Sequence, residues 1–134
     1  MQDPRHFAVA GPADVEHARR EARRLATALG FDVADAERVA LAVSELATNL
    51  TRYARDGAIV LSRVAGPRGS GVQVESRDAG PGIADVGQAL ADGFSSSGGL
   101  GGGLPAVRRL MDDFHIVTGP GGTTIVACKW PSTP

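Results

Sequence analysis

SELATNLTRYA, residues 44–54, closes a run from Asp35 to Ala54 in which apolar residues return at helical intervals. With Val43 at zero and about 100° per residue, Ala36, Val39, Ala40, Leu46, Ala47 and Leu50 share one stripe, with Tyr53 at its edge. Glu45, Asn49 and Arg52 fall on a different face, and their i, i+4, i+7 spacing makes them neighbours. A helix built this way buries the stripe in a core and keeps a carboxylate and an amide one turn apart at its margin. Asp56-Gly57 ends it.

Upstream, Arg5 to Ala10 (RHFAVA) reads as a short strand that Gly11-Pro12 interrupts. Asp14 is placed to cap a helix with Val15, Ala18, Ala22, Leu25, Ala26 and Leu29 at helical spacing, and Gly30 supplies the stop. Its other face carries Arg19, Arg20, Arg23 and Arg24, a pattern that suits a solvated face or partner docking. Downstream, Ala58–Ala65 and Gly71–Arg77 alternate with period two around GPRGS, a β-hairpin. Ile83–Asp92 reads as a short helix, and Leu104–Asp113 as another with Pro105 in its first turn. His115–Thr118 and Thr123–Trp130 form a last strand pair around GPGG. Residues 1–134 form one domain, with residues 131–134 as a frayed tail.

Composition narrows the possibilities. The 134 residues suffice for one core, and 14 basic against 15 acidic residues leave a charge of −1. That balance gives no field for nucleic acid or an anionic membrane. No apolar run approaches the ~20 residues of a membrane span, and residues 1–7 carry no secretory signal. A lone cysteine, Cys128, excludes an internal disulfide, so a cytoplasmic protein is expected.

Glycine is the outlier. Of eighteen glycines, nine fall between Gly80 and Gly103, which marks a working loop rather than a turn-rich fold. Asp78-Ala-Gly-Pro-Gly82 leaves a strand directly: Asp78 can accept from an exocyclic amine, while Gly80 and Gly82 let a ring approach the backbone. Ser95 to Leu104 (SSSGGLGGGL) runs into a helix N-terminus and offers free N–H groups to an anion. A P-loop is excluded because it needs a lysine before its helix, and the only lysine is Lys129. Gly101-x-Gly103-x-x-Ala106 fits the dinucleotide fingerprint formally, but FSSSGGL before it is no strand. His6, His17 and His115 are isolated and read as surface or strand residues rather than metal ligands.

Taken singly, each of these pieces also suits an ordinary polar helix face, an ordinary turn or a linker. Their order is more specific: Glu-x-x-x-Asn on a helix, Asp-x-Gly-x-Gly after a strand, a glycine-rich lid, then Gly122-Thr123. In that order the chain resembles the Bergerat-fold (GHKL) ATPases over roughly Arg5 to Trp130. SELATNLTRYA is similar to the family's N box, RDAGPGI (77–83) to its first glycine box, and residues 95–114 to its lid and second glycine box. Within the superfamily, DGFSSSGGLGGGLPAVRRLMD and GGTTIVACKW look most like the RsbT-type serine/threonine-protein kinases, of the anti-sigma regulatory factor class.

The resemblance implies an α/β two-layer sandwich: a mixed, mostly antiparallel sheet with helices on one face and ATP on the helical side. It implies Asn49 as the Mg²⁺ ligand, Glu45 as the catalytic base and Asp78 as acceptor from the adenine amino group. Gly80, Gly82 and Ile83 would lie beneath the adenine, and Thr123 beside Asp78. The backbone of Gly98, Gly99, Leu100, Gly101, Gly102, Gly103 and Leu104 would cover the phosphates. Tyr53 stands where many members carry histidine. With Lys129 remote, phosphate neutralisation falls to Mg²⁺ and to Arg52, Arg108 or Arg109.

The function so implied is ATP-dependent phosphorylation of a Ser or Thr on a STAS-domain antagonist, with a PP2C-type phosphatase as second partner. The alternative is an anti-sigma factor, or a weakly catalytic nucleotide-binding adaptor, that sequesters a sigma factor or other partner.

Overall fold

The computed structural model describes residues 4–53, 56–80 and 103–132. Strand β1 (Arg5–Ala8) leads into helix α1 (Pro12–Ala28), and helix α2 (Val33–Tyr53) follows. Strands β2 (Ala58–Val64) and β3 (Gly71–Asp78) come next, then helix α3 (Gly103–Leu110) and strands β4 (Asp113–Gly119) and β5 (Gly122–Lys129). The short helix expected at Ile83–Asp92 lies outside the described residues.

The helix ends differ from the expectation in an instructive way. Gly11, not Asp14, is the N-cap of α1. Asp14 sits in the first turn and reaches back, its Oδ2 accepting from the N–H groups of Ala10 (2.9 Å) and Gly11 (3.3 Å). A carboxylate there meets the positive end of the helix. Helix α2 likewise starts earlier than expected, because Asp32 Oδ1 accepts from the Asp35 N–H at 2.8 Å and so caps it. The stop at Gly30 is as expected. Gly30 adopts φ +90°, its N–H donates to the Thr27 carbonyl, and Phe31 N–H donates to Ala26. That pair of bonds is a Schellman motif, for which the left-handed residue is most easily glycine.

The five strands form one sheet in the order β1-β2-β3-β5-β4, and every described pairing is antiparallel. A mixed sheet was expected; here two hairpins supply two of the pairings, and β3 joins them in the middle. Register shows how the faces divide. Leu61 lies opposite Val74, Val74 opposite Ala127, and Ala127 opposite Phe114, so one apolar row crosses four strands. A second row runs Phe7, Ile59, Ser76, Ile125 and Ile116.

These rows meet the helices. Helix α2 packs on β2 and β3, with α1 and α3 on its two sides. Val39, Val43, Leu46, Ile59, Val72, Val74 and Val107 are the largest fully buried side chains. On α1 the buried contacts are alanines, Ala18, Ala22 and Ala26, so the two helices approach closely. Arg23 on α1 pairs with Glu37 on α2 across this contact. Val60 and Cys128 are the buried apolar residues of the opposite sheet face, the thiol 3.6 Å from Gln73 Oε1. Burial pushes the Cys128 thiol up from its ordinary pKa.

Candidate active site

The sheet rows that make the core turn polar at one end. Asp78 is the last residue of β3 and lies directly opposite Thr123 near the start of β5. Strand alternation places both on the helical face, in line with Val72, Val74 and Ser76. Thr123 is 6% exposed and Ser76 4%, so this end is sheltered while carrying hydroxyls.

Local bonds fix the aspartate. Gly80 N–H donates to Asp78 Oδ1 at 2.8 Å, a turn closed by its own side chain. Thr118 Oγ1 and Thr123 Oγ1 lie 2.8 Å apart. Thr118 was missed from sequence, although the two-residue Pro120-Gly121 turn sets the Thr118–Thr123 pairing and could have revealed it. Gly122 was noted only as part of a Gly-Thr pair. It adopts φ +143°, and a Cβ there would collide with the Asp78 carbonyl oxygen. The β5 backbone therefore approaches the aspartate closely because residue 122 has no side chain.

Helix α2 packs on the same sheet face. Glu45 and Asn49 are half-buried beside the buried Leu46, Ala47 and Leu50, as the periodicity requires. Both present oxygen donors that suit a hard cation sharing phosphate oxygens. Among the described residues, no three His, Cys, Asp or Glu side chains converge on a metal. Arg52 on the same helix is exposed. Tyr53 ends α2, and its side chain lies outside the described residues.

Gly82, Ile83, Gly98, Gly99, Leu100, Gly101 and Gly102 also lie outside them. Gly103 and Leu104 open α3, which offers backbone N–H groups at a helix start. The Leu104 side chain is 7% exposed and belongs to the core, so only its backbone faces a ligand role. Arg108 and Arg109 lie on the exposed side of α3. Lys129 is remote, as expected: it pairs in register with Val72, at the opposite end of β3 from Asp78. There its ammonium lies 3.3 Å from Asp112 and 3.9 Å from Asp35.

Asp78 and Thr123 thus stand side by side at one end of the sheet's helical face, and the helix packed on that face carries Glu45 and Asn49. The family model described as histidine kinase-like ATPase domain matches residues 8–129, and the chain belongs to that family, whose chemistry uses ATP.

Its relatives are more specific. The serine/threonine-protein kinase RsbT of Bacillus subtilis (strain 168) is 46% identical over 118 residues, covering 87% of this chain and 89% of that protein. Identity of that extent makes the chain a protein serine/threonine kinase of the RsbT type. Among solved structures, the RsbU and RsbW domains of a Mycobacterium tuberculosis protein match 99% of this chain with a TM-score of 0.68 at 24% identity. This chain spans 34% of that larger one. The mycobacterial sensor histidine kinase MprB matches 100% of this chain and 99% of that one with a TM-score of 0.55 at 19% identity. These two likenesses concern the fold. Among the described residues, no helix is long and apolar enough to cross a membrane.

Proposed function

We propose that the chain binds Mg·ATP between α2 and the Asp78 end of the sheet and transfers the γ-phosphate to a Ser or Thr of a STAS-domain antagonist protein. The observation that carries this reading is the Asp78–Thr123 pair, held opposite each other on the sheet face against which α2, the helix bearing Glu45 and Asn49, packs. Asp78 Oδ2 accepts from the adenine amino group, and Thr123 supports the same edge. Gly80, Gly82 and Ile83 line the base, and residues 98–104 cover the phosphates with backbone N–H groups.

Asn49 would hold Mg²⁺ through its amide oxygen, and the ion would supply charge neutralisation at the phosphates. Glu45, one turn away, accepts the proton of the acceptor hydroxyl. The hydroxyl oxygen bonds to the γ-phosphorus as the bond to the β–γ bridging oxygen breaks, and ADP departs. Catalysis of this kind rests on positioning and charge compensation, so a rigid helix is a suitable carrier for both residues.

A PP2C-type phosphatase is the second partner. Phosphorylating the antagonist releases the kinase to bind and activate that phosphatase. The test is transfer of labelled γ-phosphate to a purified STAS protein. Transfer by wild type and a loss of at least 100-fold in Glu45→Ala are expected. Full activity of Glu45→Ala, or recovery of a sigma factor instead of STAS proteins from the host, would overturn the assignment.

A further inference from the structure

A second polar site lies away from the nucleotide wall, and its composition is unusual. Between α1 and the β1–β2 edge is a cavity of about 180 Å³ lined by Arg5, Glu21, Arg24 and Arg63 on apolar walls that include Leu25 and Leu61. That exceeds by far the ~10–15 Å³ a single water needs. Register sets its place: Arg63 lies opposite Val72, six residues along β3 from Asp78, or roughly 20 Å at strand rise.

The charges there do not balance. Glu21 is the single carboxylate of the lining, its side chain 9% exposed. Arg5 donates to its Oε1 at 2.6 Å, and Arg24 lies 3.5 Å from its Oε2. The Arg5 guanidinium holds the Glu21 carboxyl below its usual range, with Arg24 adding to the effect. Arg63 has no acidic partner among the described residues; its Nε donates to Ser70 Oγ at 2.9 Å. Three guanidiniums thus share one carboxylate around a partly apolar hollow, which leaves two positive charges unmatched. Glu21 pairs with both Arg5 and Arg24, and Arg63 is left without a carboxylate among the described residues.

The geometry points to a pocket that takes a phosphate dianion, free or carried on a side chain, clamped between Arg24 and Arg63. Two charges match the residual charge of the lining. Planar guanidiniums donate paired N–H groups to phosphate oxygens. This site is independent of the ATP reading and involves none of its residues.

The test follows the arginine side-chain Nε–H resonances of the full chain as phosphate is added, with the Gly80 amide reporting the nucleotide wall separately. Inorganic phosphate is expected to shift the Arg24 and Arg63 signals saturably, and sodium chloride at equal ionic strength is not. Arg24→Gln and Arg63→Gln each weaken binding about tenfold. Glu21→Gln tightens it, because the competing carboxylate is gone. Tighter binding of O-phosphoserine than of phosphate assigns the pocket to a phosphorylated side chain, and equal binding assigns it to the free ion. Absence of saturable shifts, the same shifts with chloride, or unchanged affinity in both arginine variants overturns the inference.

Discussion

Replacing Gly122 by alanine tests how the aspartate wall is held. The residue adopts φ +143°, a region that costs a side-chain-bearing residue about 1–3 kcal/mol. Steric conflict adds to this. The new Cβ collides with the Asp78 carbonyl oxygen, and lies 3.1 Å from its carbonyl carbon and 3.2 Å from Ala79 Cα. All are backbone atoms, so relief requires moving the end of β3 itself. An overpacking cost of about 1–3 kcal/mol is ordinary for such a clash. Together the two give about 2–6 kcal/mol, or a melting point lower by roughly 6–30 °C for a domain of this size.

The assay is thermal and urea unfolding, paired with ATP titration of the folded variant. Gly121→Ala is the internal control: the next residue has open space around its Cβ position and no positive φ, so its change should stay within about 0.5 kcal/mol. Nucleotide affinity should fall in Gly122→Ala and hold in Gly121→Ala, because only the first displaces Asp78. Equal stability of the two variants, with equal ATP affinity, would refute the close-approach reasoning.

Other outcomes follow from the same structure. Leu46→Ala empties a fully buried site on α2 and should cost about 2–5 kcal/mol in urea unfolding. Asp35 is buried, and the Ser132 hydroxyl, with Arg38 and Lys129, holds its carboxyl below the usual range. Its contribution is therefore complete above the unfolded value of about 4 and lost as pH falls through the folded one; Asp35→Asn should flatten stability against pH in that acidic window. Lys129→Ala should leave ATP affinity unchanged in a binding titration, since its charge serves Asp112 and Asp35. Cys128, raised by burial, should react with a thiol reagent at pH 7 far more slowly than in urea-unfolded protein.

Much of the fold was legible because hydrophobic period is a direct imprint of burial. The α2 stripe, both hairpins and the Pro105 helix all appear near their expected places. Sequence showed less about which strands meet. That β3 lies between β2 and β5 depends on pairing across more than forty residues, which no local pattern encodes. Helix starts were misplaced for a related reason. Asp14 and Asp32 are both good capping residues, and only the path of the entering chain decides that one caps and the other reaches back. Residues 131–134 were expected to fray, yet the Ser132 hydroxyl donates to Asp35, ninety-seven residues away. At the site, Asp78 and Thr123 were recognisable as motif positions. Their side-by-side register, and the part played by Thr118, came only with the hairpin geometry.

The central place of β3 also bears on the order in which the molecule can be built. Its partner β2 is a hairpin away and available early, whereas β5 begins only at residue 122. A growing polypeptide that has just produced Asp78 holds half of the proposed nucleotide cradle and an unpaired strand edge. Such an edge invites association with other chains until Thr123–Lys129 closes it. With the proposed site, competence to bind ATP arrives late in synthesis, when the last strand docks.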